Sequence, residues 1–259
     1  MKVFILVKQE LSHNSDADTV YESVLKKLKQ FDIELVDDIT DCDAYITIGG
    51  DGTILKAGAE CAVYKKPLLG INTGRLGFMA TLEKDSLDKL ERLKNGDFKT
   101  NRRMLIEARV GERQPQILLN DVVLHRGAVE RLPDFSVTRN GTEVIRVRAD
   151  GIIISTPTGS TAYSLSAGGP IIEPELECFL VTALCPHTLF NRPMVFSPNG
   201  SLEISANNVS VCMDGGDGII LKENEKVVIT KSEYCLEIID IDGNNFYNAI
   251  HNKLMNPLK

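Results

Sequence analysis

The chain has 259 residues, 43% hydrophobic and 25% charged, which is enough for two globular cores and ordinary for a folded protein. A formal net charge of -7 excludes a general binder of nucleic acid or anionic membrane, while leaving room for a local basic pocket for a small anion. The six cysteines, at 42, 61, 178, 185, 212 and 235, form no CxxC pair. That spacing removes zinc-ribbon and thioredoxin-type readings and predicts buried small hydrophobes in a reducing, cytoplasmic setting.

The first apolar run, VFILV at 3–7, is too short for a signal-peptide core or a membrane span and predicts a parallel strand buried on both faces. Ala17, Val20, Tyr21, Val24, Leu25 and Leu28 recur at helical spacing, so a helix is expected over 17–30, capped by Ser15 or Asp16. Short strands follow at IELV (33–36), AYITI (44–48) and PLLGIN (67–72), with a helix over 53–63 between the last two. DSLDKLERLKNG (85–96) predicts a helix with Leu87, Leu90 and Leu93 on one face and Gly96 as its stop. Alternating strand and helix predicts an open α/β sheet of Rossmann-like type.

Beyond residue 100 the pattern turns to strands: RRMLIEARV, ILLNDVVLHR, FSVTRNGTEVIRVRADGIIIS, LEISANNVSVCMD, KVVITKS and CLEIIDID. Asn140-Gly141 predicts a hairpin with a type I′ turn. This half is expected to be all-β, two packed sheets in a sandwich-like domain. The end of the chain returns to helical spacing through Phe246, Ile250 and Leu254.

The chemistry concentrates in three stretches. In GGDGT (49–53), Gly49, Gly50 and Gly52 surround Asp51 between a strand and a helix, at the carboxyl end of the strand, where open α/β folds bind ligands. Glycines let amides approach phosphate and the helix start favours an anion, while a bare acid suits Mg²⁺ or the proton of a hydroxyl nucleophile. The plainer reading is a tight turn, and it is preferred for DGGDG at 214–218, which lies between strands. In TPTGSTAYSLSAGGP (156–170), hydroxyls surround Tyr163, which suits a nucleoside pocket; otherwise it is a Ser/Thr-rich loop whose Ser160 or Thr161 caps a short helix over 162–167. Asn120-Asp121 interrupts an apolar strand, as an edge or bulge or as a pair that reads a base edge and accepts a proton. Arg126, Arg131, Arg139, Arg146 and Arg148 follow; most are expected to be solvated, with one or two free to meet a pyrophosphate. P-loop, GxGxxG, HExxH and GxSxG patterns are absent, and the four histidines show no metal-ligand spacing.

GGDGT (49–53), GINTGRLGFM (70–79), LNDVVLHRG (119–127), DGIIISTPTGSTAYSLSAGGPII (150–172) and LCPHTLFNRPMVF (184–196) together resemble the NAD kinase family of bacterial and archaeal type. The resemblance implies transfer of the ATP γ-phosphoryl group to the 2′-hydroxyl of the adenosine ribose of NAD, with Mg²⁺ expected. It implies an α/β domain at 1–100 completed by 237–259, a β-rich NAD-binding domain at 101–236, and a homo-oligomer, dimer or tetramer. Asp51 matches the family's general base. Gly49, Gly50, Gly52 and Thr53 match its ATP phosphate loop. Asn120 and Asp121 match its Asn-acid pair, although the family usually has Glu at the second position. NAD contacts are implied for Asp51, Gly52, Asp150, Thr158, Thr161, Ala162, Tyr163, Ser164, Leu165 and Ser166, and for Lys56, Phe78, Arg131 and Arg148. GGDGT alone also fits a lipid kinase, and the pocket alone fits a nucleotide sensor without turnover.

Overall fold

The computed structural model describes residues 1–8, 16–74, 77–127, 131–188, 192–241 and 245–255. The chain divides into two compact units, Met1–Arg102 with Leu236–Lys259, and Arg103–Cys235.

The first unit is built on parallel strands β1 (Lys2–Val7), β2 (Glu34–Leu35), β3 (Ala44–Gly49) and β4 (Leu68–Asn72), in the order β2-β1-β3-β4. The other edge of β4 takes Ile238 opposite Leu68 and β5 (Leu82–Glu83) opposite Ile71 and Asn72. β3 and β4 are buried throughout. β1 is parallel as expected, but only Val3 is buried, because Leu6 and Val7 line a cavity at the carboxyl end of the sheet. Helices α1 (Asp16–Gln30) and α2 (Asp51–Val63) flank the sheet, Val20, Val24 and Leu28 of α1 packing with Ile46, Ile48 and Leu69 in one core. The expected caps of α1, Ser15 and the Asp16 side chain, lie outside the described residues. The 85–96 helix is a 3-10 turn, Lys84–Lys89, followed by α3 (Leu90–Asn95), with Leu87, Leu90 and Leu93 buried and Gly96 left-handed at φ +69°.

The second unit is all-β apart from short turns. Its strands are β6 (Lys99–Val110), β7 (Gln116–Leu118), β8 (Asp121–His125), β9 (Asp134–Arg139), β10 (Thr142–Arg148), β11 (Gly151–Ser155), β12 (Phe179–Leu184), β13 (Met194–Phe196), β14 (Leu202–Ser205), β15 (Val209–Met213), β16 (Ile219–Leu221) and the start of β17 (Val227–Asp240). One antiparallel sheet runs β13-β12-β11-β8-β15-β16. A second antiparallel set, β10-β9-β14-β17, lays Phe135, Val137, Leu202, Ile204, Val227 and Ile229 into a common core with Val122, Leu124, Ile152, Ile154, Val209 and Val211. Asn140 and Gly141 have φ of +48° and +83°, as a type I′ turn requires.

Three expectations are corrected. The two strands expected around 226–242 are one, β17, because no glycine or proline breaks the run through Ser232, Glu233 and Tyr234. The C-terminal helix is α5 (Asn245–Ile250) followed by a π turn, His251–Met255; the wider turn carries Leu254 off the packed face, so Phe246 and Ala249 are buried and Leu254 is exposed. Only Cys42, Cys61 and Cys178 are buried, whereas Cys185 is exposed and Cys212 and Cys235 are half-buried; all six are free thiols. No described helix is long and apolar enough to cross a membrane.

Candidate functional site

In the first unit, β3 ends at Gly49 and α2 begins at Asp51, two residues earlier than the expected helix start. A Cβ on Gly49 would lie 2.1 Å from the Thr53 hydroxyl, so that glycine is required by the close approach of Thr53. Gly50 and Gly52 would meet nothing within 4 Å; their bareness leaves open space instead. The Gly50 N-cap makes no side-chain hydrogen bond and Thr53 N–H donates to Gly50 O at 2.9 Å, which leaves the Asp51 and Gly52 amides of this 13-residue helix to an anion. They face a cavity of about 600 Å³ lined by Leu6, Val7, Lys8, Gly50, Gly52, Thr53 and Lys56. Lys8 is a residue the sequence alone does not single out; its signal is its place directly after the β1 run, at the ligand-binding carboxyl end of a parallel sheet.

Asp51 does not point freely into solvent. Its Oδ2 accepts the Phe78 N–H at 2.7 Å, and its Oδ1 accepts Met79 N–H at 3.1 Å and Ala80 N–H at 3.3 Å. A Cβ on Gly77 would stand 1.8 Å from Oδ1. The segment after β4 is therefore a nest of consecutive amides fitted around one carboxylate.

The second unit repeats this device. Asp214, in the DGGDG turn between β15 and β16, accepts Leu119 N–H on Oδ2 at 2.7 Å and Asn120 and Asp121 N–H on Oδ1 at 2.9 Å each. The turn is structural, as expected, and what it fixes is the Asn120-Asp121 pair. From the other side, Thr156 donates its N–H to Asn120 O (2.8 Å) and its hydroxyl to Leu119 O (2.5 Å). Gly159 packs so close that a Cβ would lie 2.2 Å from Asn120 O. Thr156 is a second residue the sequence reading passed over. Around this point Asn120 Oδ1, Ser155 Oγ and Thr158 Oγ1 are buried without a hydrogen-bond partner, and Ser155 stands opposite Asp121 in the ladder. Orphaned polar atoms of this kind cost stability unless a ligand satisfies them.

Burial, and then the neighbouring Asp214, push the Asp121 carboxyl up from 3.8 to about 7. Burial also raises Asp214, opposed by its three amide bonds. Because the folded value of Asp121 lies above the unfolded one, the native chain keeps a proton that the unfolded chain gives up. Stability is therefore greatest below pH 4 for this group and falls as pH rises towards 7. Asp121→Asn is expected to remove that fall and to exceed the parent by roughly 2–4 kcal/mol above pH 7, read from urea unfolding between pH 4 and 8. Parallel pH profiles for the two proteins would contradict this.

The hydroxyl-rich segment forms a 3-10 turn, Thr158–Thr161, and α4 (Tyr163–Ser166). Neither Ser160 nor Thr161 caps α4, whose N-cap is Ala162. Ser160 is turned inward instead, donating to Pro157 O (2.6 Å) and accepting Ile172 N–H (3.0 Å), and Thr161 donates to Thr158 O (3.1 Å). Ser164 is buried against Thr182 Oγ1 at 2.9 Å, Thr161, Ala162 and Leu165 are half-buried, and Tyr163 and Ser166 are exposed.

The remaining sequence candidates lie elsewhere in this unit. Asp150 precedes the start of β11 and pairs with Arg126 at 3.0 Å, five residues from Ser155, or about 17 Å along an extended strand. Arg148 makes a two-pronged pair with Asp134 (3.0 and 2.9 Å), Arg146 pairs with Glu143, Arg139 donates to Ser197 O and Asn199 O, and Arg131 is exposed. Within one copy of the chain, Asp150 is thus not brought to the Asn120-Asp121 end of the sheet.

Residues 3–98 match the family model described as the ATP-NAD kinase N-terminal domain, and residues 119–241 match the ATP-NAD kinase C-terminal domain. The chain is 39% identical to an NAD kinase of Magnetococcus marinus over 82% of its length and 73% of that protein's, and 36% identical to one of Thermoanaerobacter sp. (strain X514) over 96% and 92%. It superposes on the crystal structure of an NAD kinase from Archaeoglobus fulgidus in complex with ATP with a TM-score of 0.81, at 26% identity over 98% of this chain and 99% of that one. A yeast NADH kinase complexed with NADH shares the fold, with a TM-score of 0.85 at 24% identity, covering 100% and 88%. Matches to both halves in their family order, and relatives alike over most of both chains, place this chain in the NAD kinase family, and its activity is that of an NAD kinase.

Proposed function

We propose that Asp51 is the general base for phosphorylation of the NAD 2′-hydroxyl, carried by one observation: a carboxylate held by three consecutive amides beside an open, lysine-lined helix start. The 2′-oxygen attacks the γ-phosphorus of ATP, the bond from that phosphorus to the β–γ bridging oxygen breaks, and ADP leaves. The hydroxyl proton passes to Asp51. The transition state is loose, so most of the catalysis comes from placing the hydroxyl and offsetting phosphate charge.

The helix-start amides, the Thr53 hydroxyl, Lys8 and Lys56 suit the triphosphate. Mg²⁺ fits this set: it keeps most of its waters and takes phosphate oxygens with one or two carboxylates, and no described group of three acidic, histidine or cysteine side chains forms a separate metal cage. Thr53 is the side chain that would hold it beside the phosphate oxygens, and the ion would supply charge neutralisation. Asn120, Ser155 and Thr158 offer NAD the partners their buried atoms lack, with Asp121 opposite Ser155 in the ladder and Tyr163 exposed for stacking on a base. A homo-oligomer accords with the remote position of Asp150, which a second copy can carry to another site. Free thiols, three of them buried, accord with a cytoplasmic setting.

Asn120→Ala is expected to raise the KM for NAD tenfold or more with the KM for ATP unchanged, measured by coupled NADP detection. An unaltered KM for NAD would remove Asn120 from the site.

A further inference from the structure

The grip on Asp51 has its own support. Oδ1 receives both Met79 and Ala80, whereas Oδ2 receives Phe78 alone, so Oδ2 keeps a lone pair for an incoming proton. The amide that aims this oxygen belongs to a half-buried phenylalanine whose ring is covered by the end of the chain. The Phe246 ring of α5 lies 6.3 Å from the Phe78 ring, tilted at 54°, and Lys253 Nζ in the π turn stands 4.8 Å from its centroid. Phe246 is itself 8% exposed and braced edge-on by Tyr247 at 5.5 Å. These contacts lie within one unit, and they connect a segment some two hundred residues away in sequence to one hydrogen bond on the catalytic carboxylate.

We infer that Phe246 and Lys253 are positioning residues, which hold the Phe78 amide so that Asp51 Oδ2 faces the 2′-hydroxyl. The inference rests on the reading of Asp51 as the base. The device acts on the chemical step, because a carboxylate shifted by a fraction of an ångström still leaves the triphosphate and nucleoside pockets intact.

The test is steady-state kinetics of the full-length protein with NAD, ATP and Mg²⁺. Phe246→Ala is expected to lower kcat about tenfold with both KM values within twofold, and Phe246→Leu, which keeps apolar bulk on Phe78, to recover most of it. Lys253→Met keeps the stem but removes the cation over the ring, and is expected to lower kcat two- to fivefold. It carries the test alone if Phe246→Ala folds poorly. In an Asp51→Asn background either substitution is expected to change the residual rate less than twofold, because the group it positions is gone. Parental kcat in both single variants would overturn the inference, as would a loss that persists in full in the Asp51→Asn background. Parental activity of Asp51→Asn alone would instead overturn the base assignment.

Discussion

Gly77→Ala is expected to cut kcat by about two orders of magnitude while leaving the fold and both KM values close to those of the parent. The added Cβ falls 1.8 Å from Asp51 Oδ1 and 2.4 Å from its Cγ, so the two cannot coexist. Asp51 has the freer end: rotating its carboxylate away is easier than moving a backbone whose Phe78, Met79 and Ala80 amides it binds. The base leaves its position and its amides lose an acceptor, at a cost of about 1–3 kcal/mol, while the unit stays folded. The thermal midpoint separates this outcome from unfolding, and a folded Gly77→Ala protein with parental kcat would show that the nest does not set the position of the base.

The second large effect is expected at Asp214. Asn at this position keeps one acceptor oxygen and turns an amide donor towards backbone N–H groups that need acceptors. At least one of the Leu119, Asn120 and Asp121 amides is then buried and unsatisfied, a loss of ~1–3 kcal/mol in urea unfolding. Because the same bonds fix the backbone of Asn120 and Asp121, NAD affinity is expected to fall at least tenfold alongside stability. Unfolding midpoints equal to the parent's would show that these amides find other partners. Both nests lose acceptors for their amides, and the two sites differ in the functional readout: kcat at Gly77, NAD affinity at Asp214.

The two acids also mark where the sequence was readable. Local features were plain: the apolar run into GGDGT, the Asn140-Gly141 hairpin, and the strand-rich second half all depend on residues a few positions apart. Asp51 stood out because glycines surround it, and the DGGDG loop was identified as a turn by its flanking strands. Neither segment revealed what its acid grips, since Phe78 is 27 positions from Asp51 and Leu119 is 95 from Asp214. Backbone amides are supplied by every residue type but proline, so a nest leaves almost no trace in side-chain identity; Gly77, pressed against Asp51, is a trace that gains meaning in the folded chain. Lys8 and Thr156 stayed hidden for a related reason, as each becomes meaningful through the strand beside it. The polar middle of β17 reads as a turn in the sequence, although Ser232 is buried and accepts the Tyr234 N–H within the strand. Regular helical spacing puts Leu254 on the packed face, and the π turn shifts the register.

The central claim is that Asp51 takes the 2′-hydroxyl proton. It is tested most directly by measuring NADP formation from NAD, ATP and Mg²⁺ with the parent and Asp51→Asn side by side, using an NADP-specific dehydrogenase as reporter. Asparagine preserves shape and can still accept the Phe78 or Met79 amide, so NAD and ATP binding are expected to persist while kcat falls by about 10²–10⁴. A folded Asp51→Asn protein that forms NADP at the parental rate would contradict the account.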